Sequence, residues 1–217
     1  MQNYLSRRER EKKLRESEIV KAAEVIFFEK GFENASMDEI AKSSEFTKRT
    51  LYKYFINKED LFFAVVHEGF ETLYAYFESS LKKGKNGYEK IRFGLLAYYQ
   101  FYRDYPDIFR LMNSISIVKS KAKESKKYKK ILEFNDFIFS EIIKVIEEGK
   151  IDGSIRIDID TKVFAYSIVF LITGFFREMS ISGKIFTEHF SLDEETFSLF
   201  VIDLLSSNLS IKTNEIK

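Results

Sequence analysis

Residues 40–55 read IAKSSEFTKRTLYKYF. Two short helical patterns lie on either side of a turn of about three residues, the layout of a helix-turn-helix. Ala41 in the first pattern and Leu51 in the second fall where the two helices cross. Ala41 must be small because the second helix passes close over it, while Ile40, Phe46 and Leu51 fill the wedge between them. The second helix is then left with an outer face of Thr47, Lys48, Arg49, Thr50, Tyr52, Lys53 and Tyr54. Cations and hydroxyls together on one short exposed helix suit the DNA major groove, where phosphate contacts position a protein and base edges specify it. The same spacing makes Leu51 and Phe55 core, and Tyr54 can equally pack inward.

Upstream of this stretch, Ile19, Ala22, Ala23, Ile26 and Phe27 recur at i, i+3, i+4, i+7 and i+8, one face of a helix ending at Lys30–Gly31. Ser36-x-x-Glu39 is a capping box that opens the helix bearing Ile40 and Ala41. Thr47 is placed to cap the next helix. Asn57 caps a long one, with Glu59 and Asp60 in its first turn, where the helix dipole favours acids. Further on, apolar spacing predicts helices over residues 88–104, 107–118, 126–148, 161–181 and 193–208. Pro106 stands at a helix start, where its missing N–H costs nothing. Breaks are expected at Gly84–Gly87, Tyr105–Pro106, Gly149–Gly153 and Ser182–Gly183. The expected fold is all-α, with about nine helices.

Composition narrows the function. The chain has 217 residues, 45% hydrophobic and 32% charged, as in a globular protein with a sizeable core. Its 35 Lys and Arg against 34 Asp and Glu leave a formal charge of +1, so affinity for nucleic acid must come from local clusters. Having no cysteine excludes disulfide scaffolds and thiolate chemistry, and two histidines exclude a multi-histidine metal site. The residues three before His67 and His189 are Ala64 and Phe186, so the paired Glu-x-x-His pattern of a di-iron bundle is missing. Gly84-Lys85, Gly149-Lys150 and Gly183-Lys184 are followed by Asn or Ile, which rules out a phosphate loop. The sequence therefore predicts neither an enzyme nor a cofactor or metal. A charged N-terminus without a secretory signal points to the cytoplasm. The apolar stretch Val163–Phe176 is too short to cross the ~30 Å hydrocarbon layer, so no membrane partner is expected.

The helix-turn-helix sits in a longer pattern. Around it stand the Ala22–Ala23 pair, Phe27, Glu29–Phe32, Ser36-Met37-x-Glu39-Ile40-Ala41, Thr47-Lys48-x-Thr50-Leu51-Tyr52-x-Tyr54-Phe55 and Lys58-Glu59-x-Leu61. This ungapped run from Ile19 to about Val66 resembles the TetR/AcrR family of bacterial transcriptional regulators. The resemblance implies a three-helix DNA-binding domain over residues 1–56, with 1–16 a basic extension, and a helical ligand-binding and dimerisation domain over 57–217. It implies that Thr47 caps the recognition helix and touches a phosphate. Lys48, Arg49 and Lys53 would reach base edges, and Tyr52 and Tyr54 would reach phosphates. Thr50 shares that face, while Lys58 and Ser36 would hold the backbone from the flanks. Two positions depart from the family pattern: Glu45 stands at a turn that is usually Gly, and Arg49 stands where Gly is common. A non-Gly residue at positive φ carries strain.

Two basic clusters lie outside this run. Arg7, Arg8, Arg10, Lys12, Lys13 and Arg15 read either as an arm on DNA or as a solvated helix extension. Lys119, Lys121, Lys123, Lys126, Lys127, Lys129 and Lys130 read as a solvated loop and helix start.

In proteins resembling this one, the C-terminal helices enclose a ligand and pair two subunits. Tyr98, Phe101, Tyr102, Phe109, Met112, Phe134, Phe137 and Phe170 are the candidate pocket wall, suited to a lipophilic or aromatic effector. Phe164, Ile168, Leu171, Phe175, Phe197, Val201, Leu204 and Leu205 are the candidate dimer interface, since their helices carry more apolar surface than one small domain can bury. The expected function is a ligand-responsive repressor that binds a palindromic double-stranded operator as a homodimer. The alternative is a DNA-binding or nucleoid-associated protein without a small-molecule ligand.

Overall fold

A computed structural model describes residues 6–118 and 125–210, and every regular element among them is helical. Ten α-helical segments follow one another: α1 Arg7–Asn34, α2 Met37–Ser43, α3 Lys48–Tyr54, α4 Lys58–Leu81, α5 Gly87–Asp104, α6 Pro106–Asn113, α7 Lys126–Ile151, α8 Thr161–Glu178, α9 Lys184–His189 and α10 Glu194–Ser207. A 3₁₀ turn, Ser114–Ile117, follows α6, and a π-helical turn, Met179–Gly183, joins α8 to α9. The fold is all-α, as expected.

The local signals act where the sequence puts them. Ser36 accepts the Glu39 amide while Glu39 accepts the Ser36 amide, closing the capping box of α2. Thr47 accepts the Thr50 amide at 3.2 Å, and Asn57 accepts that of Asp60 at 2.8 Å. Gly31 takes φ 72 and ψ 166 and breaks α1 one turn before its end, a conformation glycine adopts without steric cost. α6 begins on Pro106.

One expected break is corrected, and another falls where it was expected. α7 runs through Gly149 and ends at Ile151, inside the range Gly149–Gly153, while Gly149 itself marks a close approach. A Cβ on Gly87 would stand 2.3 Å from the Gly149 Cα, so only a pair of glycines lets α5 and α7 cross there. The helix expected to stop at Ser182–Gly183 continues to His189. Met179 packs over Gly183, and the Thr187 hydroxyl donates to the Gly183 carbonyl at 2.9 Å, so the wide turn carries the helix onward. This also corrects the length argument about membranes: Thr161–His189 is, by length and composition, long and apolar enough to cross one.

The chain divides into two compact units, Met1–Phe70 with Asp107–Leu132, and Glu71–Pro106 with Glu133–Lys217. In the first, Ile19, Val20, Ala23 and Phe27 of α1 close over Ile40, Leu51 and Phe55 and over α4, all buried. Phe27, Phe32, Phe62 and Phe63 form a chain of ring contacts, which Tyr128 extends at 5.0 Å from Phe63. Asp60 is buried, yet both carboxylate oxygens are satisfied: one accepts the Ser125 hydroxyl at 2.7 Å, the other the Ile56 amide at 3.2 Å. In the second unit, Phe176 is enclosed by the rings of Tyr98, Tyr99 and Tyr102. Arg92–Asp203 and Tyr102–Glu194 tie α5 to α10.

Of the downstream lysine run, Lys119, Lys121 and Lys123 lie outside the described residues. Lys126, Lys129 and Lys130 are exposed, and Lys127 pairs with Glu16 at 2.6 Å.

Candidate DNA-binding surface

The surface is built on the corner between α2 and α3. At the end of α2 the Ser44 amide donates to the Ile40 carbonyl, that of Glu45 to Lys42, and that of Phe46 to Ala41. This is a Schellman ending, in which the residue after the cap takes the left-handed conformation. Glu45 occupies that position with φ 57. The strained turn therefore forms on a residue with a side chain, and the half-buried Phe46 wedges behind it. Thr47 then starts α3, its hydroxyl shared with that of Thr50 at 2.9 Å.

Leu51 is fully buried beneath α3 and Phe55 closes its end. The opposite face presents Lys48, Arg49, Tyr52 and Lys53 to solvent, with Tyr52 49% exposed. Thr50 and Tyr54 are half-buried at its edges. Lys48 is not idle there: its ammonium lies 2.7 Å from the Asp38 carboxylate of α2. The hydrogen bond and the charge of Asp38 hold the Lys48 pKa above its ordinary value. The sequence alone does not disclose Asp38, because nothing local reveals that α2 brings it against α3.

The two flanking residues are placed differently from the rest. The Ser36 hydroxyl is drawn into its own helix, accepting the Glu39 amide and donating to the Glu39 carboxylate at 2.8 Å. Glu39 in turn pairs with Lys30, and these contacts hold its carboxyl below the usual range. Lys58 reaches into the molecule, its ammonium on backbone carbonyls at the end of α1. The basic N-terminal residues from Arg7 to Arg15 belong to the first turns of α1 and are all exposed.

The candidate pocket residues fall into separate packing groups. Phe109 is buried in the first unit, where Met112 stands over Gly69. In the second unit, Tyr98 and Tyr102 lie on Phe176, Phe101 lies on Tyr76 and Tyr105, and Phe134 and Phe137 lie on Tyr74. Burial raises the Tyr98 phenol well above its ordinary pKa, so it stays protonated. Phe170 is not part of any such wall: it is 79% exposed. The second unit also holds an open cavity of about 400 Å³ between Tyr74, Glu78, Lys82, Lys90, Lys144 and Glu148. Its charges are largely paired, Lys90 with Glu148 and Lys82 with Glu78, so it offers an ion little.

The candidate interface residues lie along α8 and α10. Ile168 is buried, Phe164, Phe175, Phe197, Val201 and Leu205 are half-buried, and Leu171 and Leu204 are more than half exposed. Beside them Val163, Tyr166, Phe170, Ile181 and Ile185 recur at helical spacing, each more than half exposed, and Phe200 adds to the set from α10. An apolar face of this extent is unusual on a monomer.

Residues 19–65 match the family model described as bacterial regulatory proteins, tetR family. An HTH-type transcriptional regulator of Staphylococcus aureus is 29% identical over 152 residues, covering 69% of this chain and 80% of its own. Among solved structures, the fold matches the transcriptional regulator FadR from Bacillus subtilis in complex with stearoyl-CoA. That match has a TM-score of 0.70 at 19% identity and covers 89% of this chain and 98% of that one. It also matches AibR in complex with isovaleryl coenzyme A and operator DNA, with a TM-score of 0.64 at 20% identity, covering 88% and 97%. At these identities the structural likeness establishes the fold.

Proposed function

We propose that the chain, whose residues 19–65 match the model of the tetR family of bacterial regulatory proteins, is a ligand-responsive repressor that binds a palindromic operator as a homodimer. Members of this family regulate transcription by binding DNA, and the chain is a regulator and not an enzyme.

One observation supports the reading above the others. α3 is locked from below by buried Leu51, capped by Thr47 and fixed to α2 by the Glu45 turn, while Lys48, Arg49, Tyr52 and Lys53 face outward. A rigid helix with one cationic, hydroxyl-bearing face is what major-groove readout requires. Arg49 is the residue for a bidentate contact to guanine, since its planar fork matches the two acceptors of that base edge. Tyr52 takes a phosphate, and so does Lys53 in the last turn of α3, in place of the base edge first expected of it. Lys48, also expected at a base edge, takes a phosphate once it leaves Asp38. Residues 1–56 are the DNA-reading part and 57–217 the regulatory part, working in the cytoplasm.

A dimer follows from the open apolar face on α8 and α10, because one helix-turn-helix supplies too few contacts for specific affinity. The effector is lipophilic. Acyl thioesters are the class to try first, because two proteins of this fold carry them. An effector that binds better to the form with unsuited recognition-helix spacing weakens DNA binding, and DNA weakens effector binding by the same factor.

The test is a fluorescence-anisotropy titration against the DNA upstream of the protein's own gene at several salt concentrations, with Arg49→Ala and Tyr52→Phe alongside. The expected result is tight binding to a two-fold-symmetric site, a steep log–log salt slope, and loss of sequence preference in Arg49→Ala. Weak and equal binding to every duplex, including sites selected from random DNA, would overturn the reading.

A further inference from the structure

The ammonium of Lys58 lies 2.7 Å from the carbonyl oxygen of Phe32, 3.2 Å from that of Glu33 and 2.8 Å from that of Ala35. It also sits 4.5 Å from the centroid of the Phe32 ring. An ammonium has three N–H donors, and three carbonyls take them. No donor is left for a phosphate.

The cradle has a cause in the backbone. Gly31 breaks α1 with φ 72, and the short turn after it gathers the carbonyls of residues 32, 33 and 35 on one side. Carbonyls at a helix end have no partner within the helix and carry the negative pole of its dipole. Lys58 opens α4, so its cation stands at the positive pole of its own helix, an unfavourable place on its own. The negative end of α1 offsets that.

The position in the chain gives this contact its consequence. Ala35 is the last residue before Ser36 caps α2, and Lys58 begins the helix that follows α3. The whole α2–α3 pair thus lies in the chain between Ala35 and Lys58, and the clamp joins those two points. Next to it, the Asp60 carboxylate accepts the Ile56 amide at 3.2 Å, holding the exit from α3.

Resting on the DNA-binding reading above, we propose that Lys58 is a positioning residue for DNA recognition: it ties both ends of the helix-turn-helix together and makes no phosphate contact of its own. A direct phosphate ligand and a latch differ in one measurable quantity. Losing a phosphate contact lowers the log–log salt slope by about 0.9, whereas losing a latch lowers affinity and leaves the slope in place.

The experiment uses the full chain and a labelled duplex carrying the site that the wild type selects from random DNA. Lys58→Met and Lys58→Arg are titrated over a salt series, with Lys53→Met as the comparison for a phosphate contact. Hydrogen exchange is followed in the DNA-free chains. Lys58→Met is expected to bind about tenfold more weakly or worse with a slope close to wild type, while Lys53→Met loses slope. Lys58→Arg keeps the charge but brings a planar fork in place of a compact cation, so it too is expected to bind weakly. Amides around Gly31–Met37 are expected to exchange faster in Lys58→Met, with α8 and α10 unchanged.

A slope lowered by about 0.9 in Lys58→Met, with affinity restored in Lys58→Arg, would make Lys58 a phosphate ligand and overturn the proposal. Unchanged exchange at Gly31–Met37 would also overturn it, whatever the DNA result. Should the wild type select no site, the DNA-binding reading fails, and the exchange comparison still decides the latch. If Lys58→Met does not fold, Lys58→Gln serves in its place.

Discussion

The amide of Phe46 donates to the carbonyl of Ala41 at 3.0 Å, spanning a turn in which Glu45 holds φ 57. That bond ends α2 and sets where α3 begins. The left-handed conformation costs a residue with a Cβ roughly 1 kcal/mol, and glycine escapes it. Replacing Glu45 by glycine loosens the unfolded chain, which takes back part of the gain. Glu45→Gly is therefore expected to raise stability by up to about 1 kcal/mol, or about 2–4 °C in Tm for a chain of this size. Affinity for the selected duplex should stay within about twofold, because the three amide-to-carbonyl bonds of the turn do not involve the side chain. A Tm below wild type in a thermal melt would show that the Glu45 side chain contributes more than its backbone costs.

Lys48 faces a choice between partners. Its ammonium lies 2.7 Å from Asp38, both side chains being well exposed, and exposed pairs of this kind are weak. A phosphate can replace the carboxylate, but only if Lys48 leaves it. Asp38→Asn removes the competitor and a negative charge beside the recognition helix. The variant should bind both selected and random duplexes more tightly, with a salt slope at least as steep as wild type. Sequence preference should fall, since the added affinity is electrostatic. Weaker binding in Asp38→Asn would mean that the ion pair aims Lys48 at the DNA.

What the sequence made legible was local. Ser36, Thr47 and Asn57 act over three residues, so the pattern of side chains alone discloses the caps and with them α2, α3 and the start of α4. Periodicity likewise shows which face of a helix is apolar. It does not show what that face meets. Phe101 and Phe170 read alike as aromatic members of a helical stripe, yet one is fully buried and the other 79% exposed. The partners of Lys58, and Asp38 altogether, escaped for the same reason: the carbonyls and the cation they meet arrive from elements 10 or more positions away. Gly149 and Gly183 look like breaks in a sequence, but Gly149 sits at a close helix crossing and Gly183 in a π turn, and neither residue itself ends its helix.

The crossing of α5 over α7 rests on two missing side chains. A Cβ on Gly87 would lie 2.3 Å from the Gly149 Cα and 2.5 Å from its amide nitrogen, and neither backbone can yield without moving a helix. The same junction is pinned by the Gly87 amide donating to Asp152 at 2.9 Å and the Tyr88 amide donating to Ser154 at 3.1 Å. Gly87→Ala should cost about 3 kcal/mol, the upper range for overpacking. Gly174→Ala is the control, because nothing lies within 4 Å of its added Cβ and a helix gains from alanine. Denaturant melts of the two variants should move in opposite directions. A Gly87→Ala chain as stable as wild type would refute the tight crossing.

Glu24 predicts a pH dependence of known sign. Burial raises its carboxyl above the ordinary value of 4.5, and the nearby Asp107 raises it further against a smaller opposing effect of Lys21. A raised folded-state pKa means the folded chain holds the proton more tightly than the unfolded one. Stability from this group is thus gained as pH falls through the raised pKa, and the charged carboxylate is a liability at neutral pH. Glu24→Gln should therefore melt higher than wild type near neutral pH, and the difference should shrink as the buffer approaches the ordinary value. A constant difference across that range would remove Glu24 from the account.

The apolar face on α8 and α10 makes the dimer testable without DNA. Phe170 is 79% exposed, with Val163, Tyr166, Ile181 and Ile185 also outward along the same continuous helix. Left in water, such a stripe would favour aggregation. Covered by its two-fold mate it forms an isologous contact, in which each residue on the axis faces its own copy. A charge at Phe170 would then be buried in an apolar contact without a partner of opposite sign, a costly arrangement. Phe170→Glu is expected to shift the chain from dimer to monomer in sedimentation, with a loss of operator affinity and a circular-dichroism spectrum like that of wild type. A Phe170→Glu chain that sediments as wild type and binds its site as tightly would place the subunit contact on another surface.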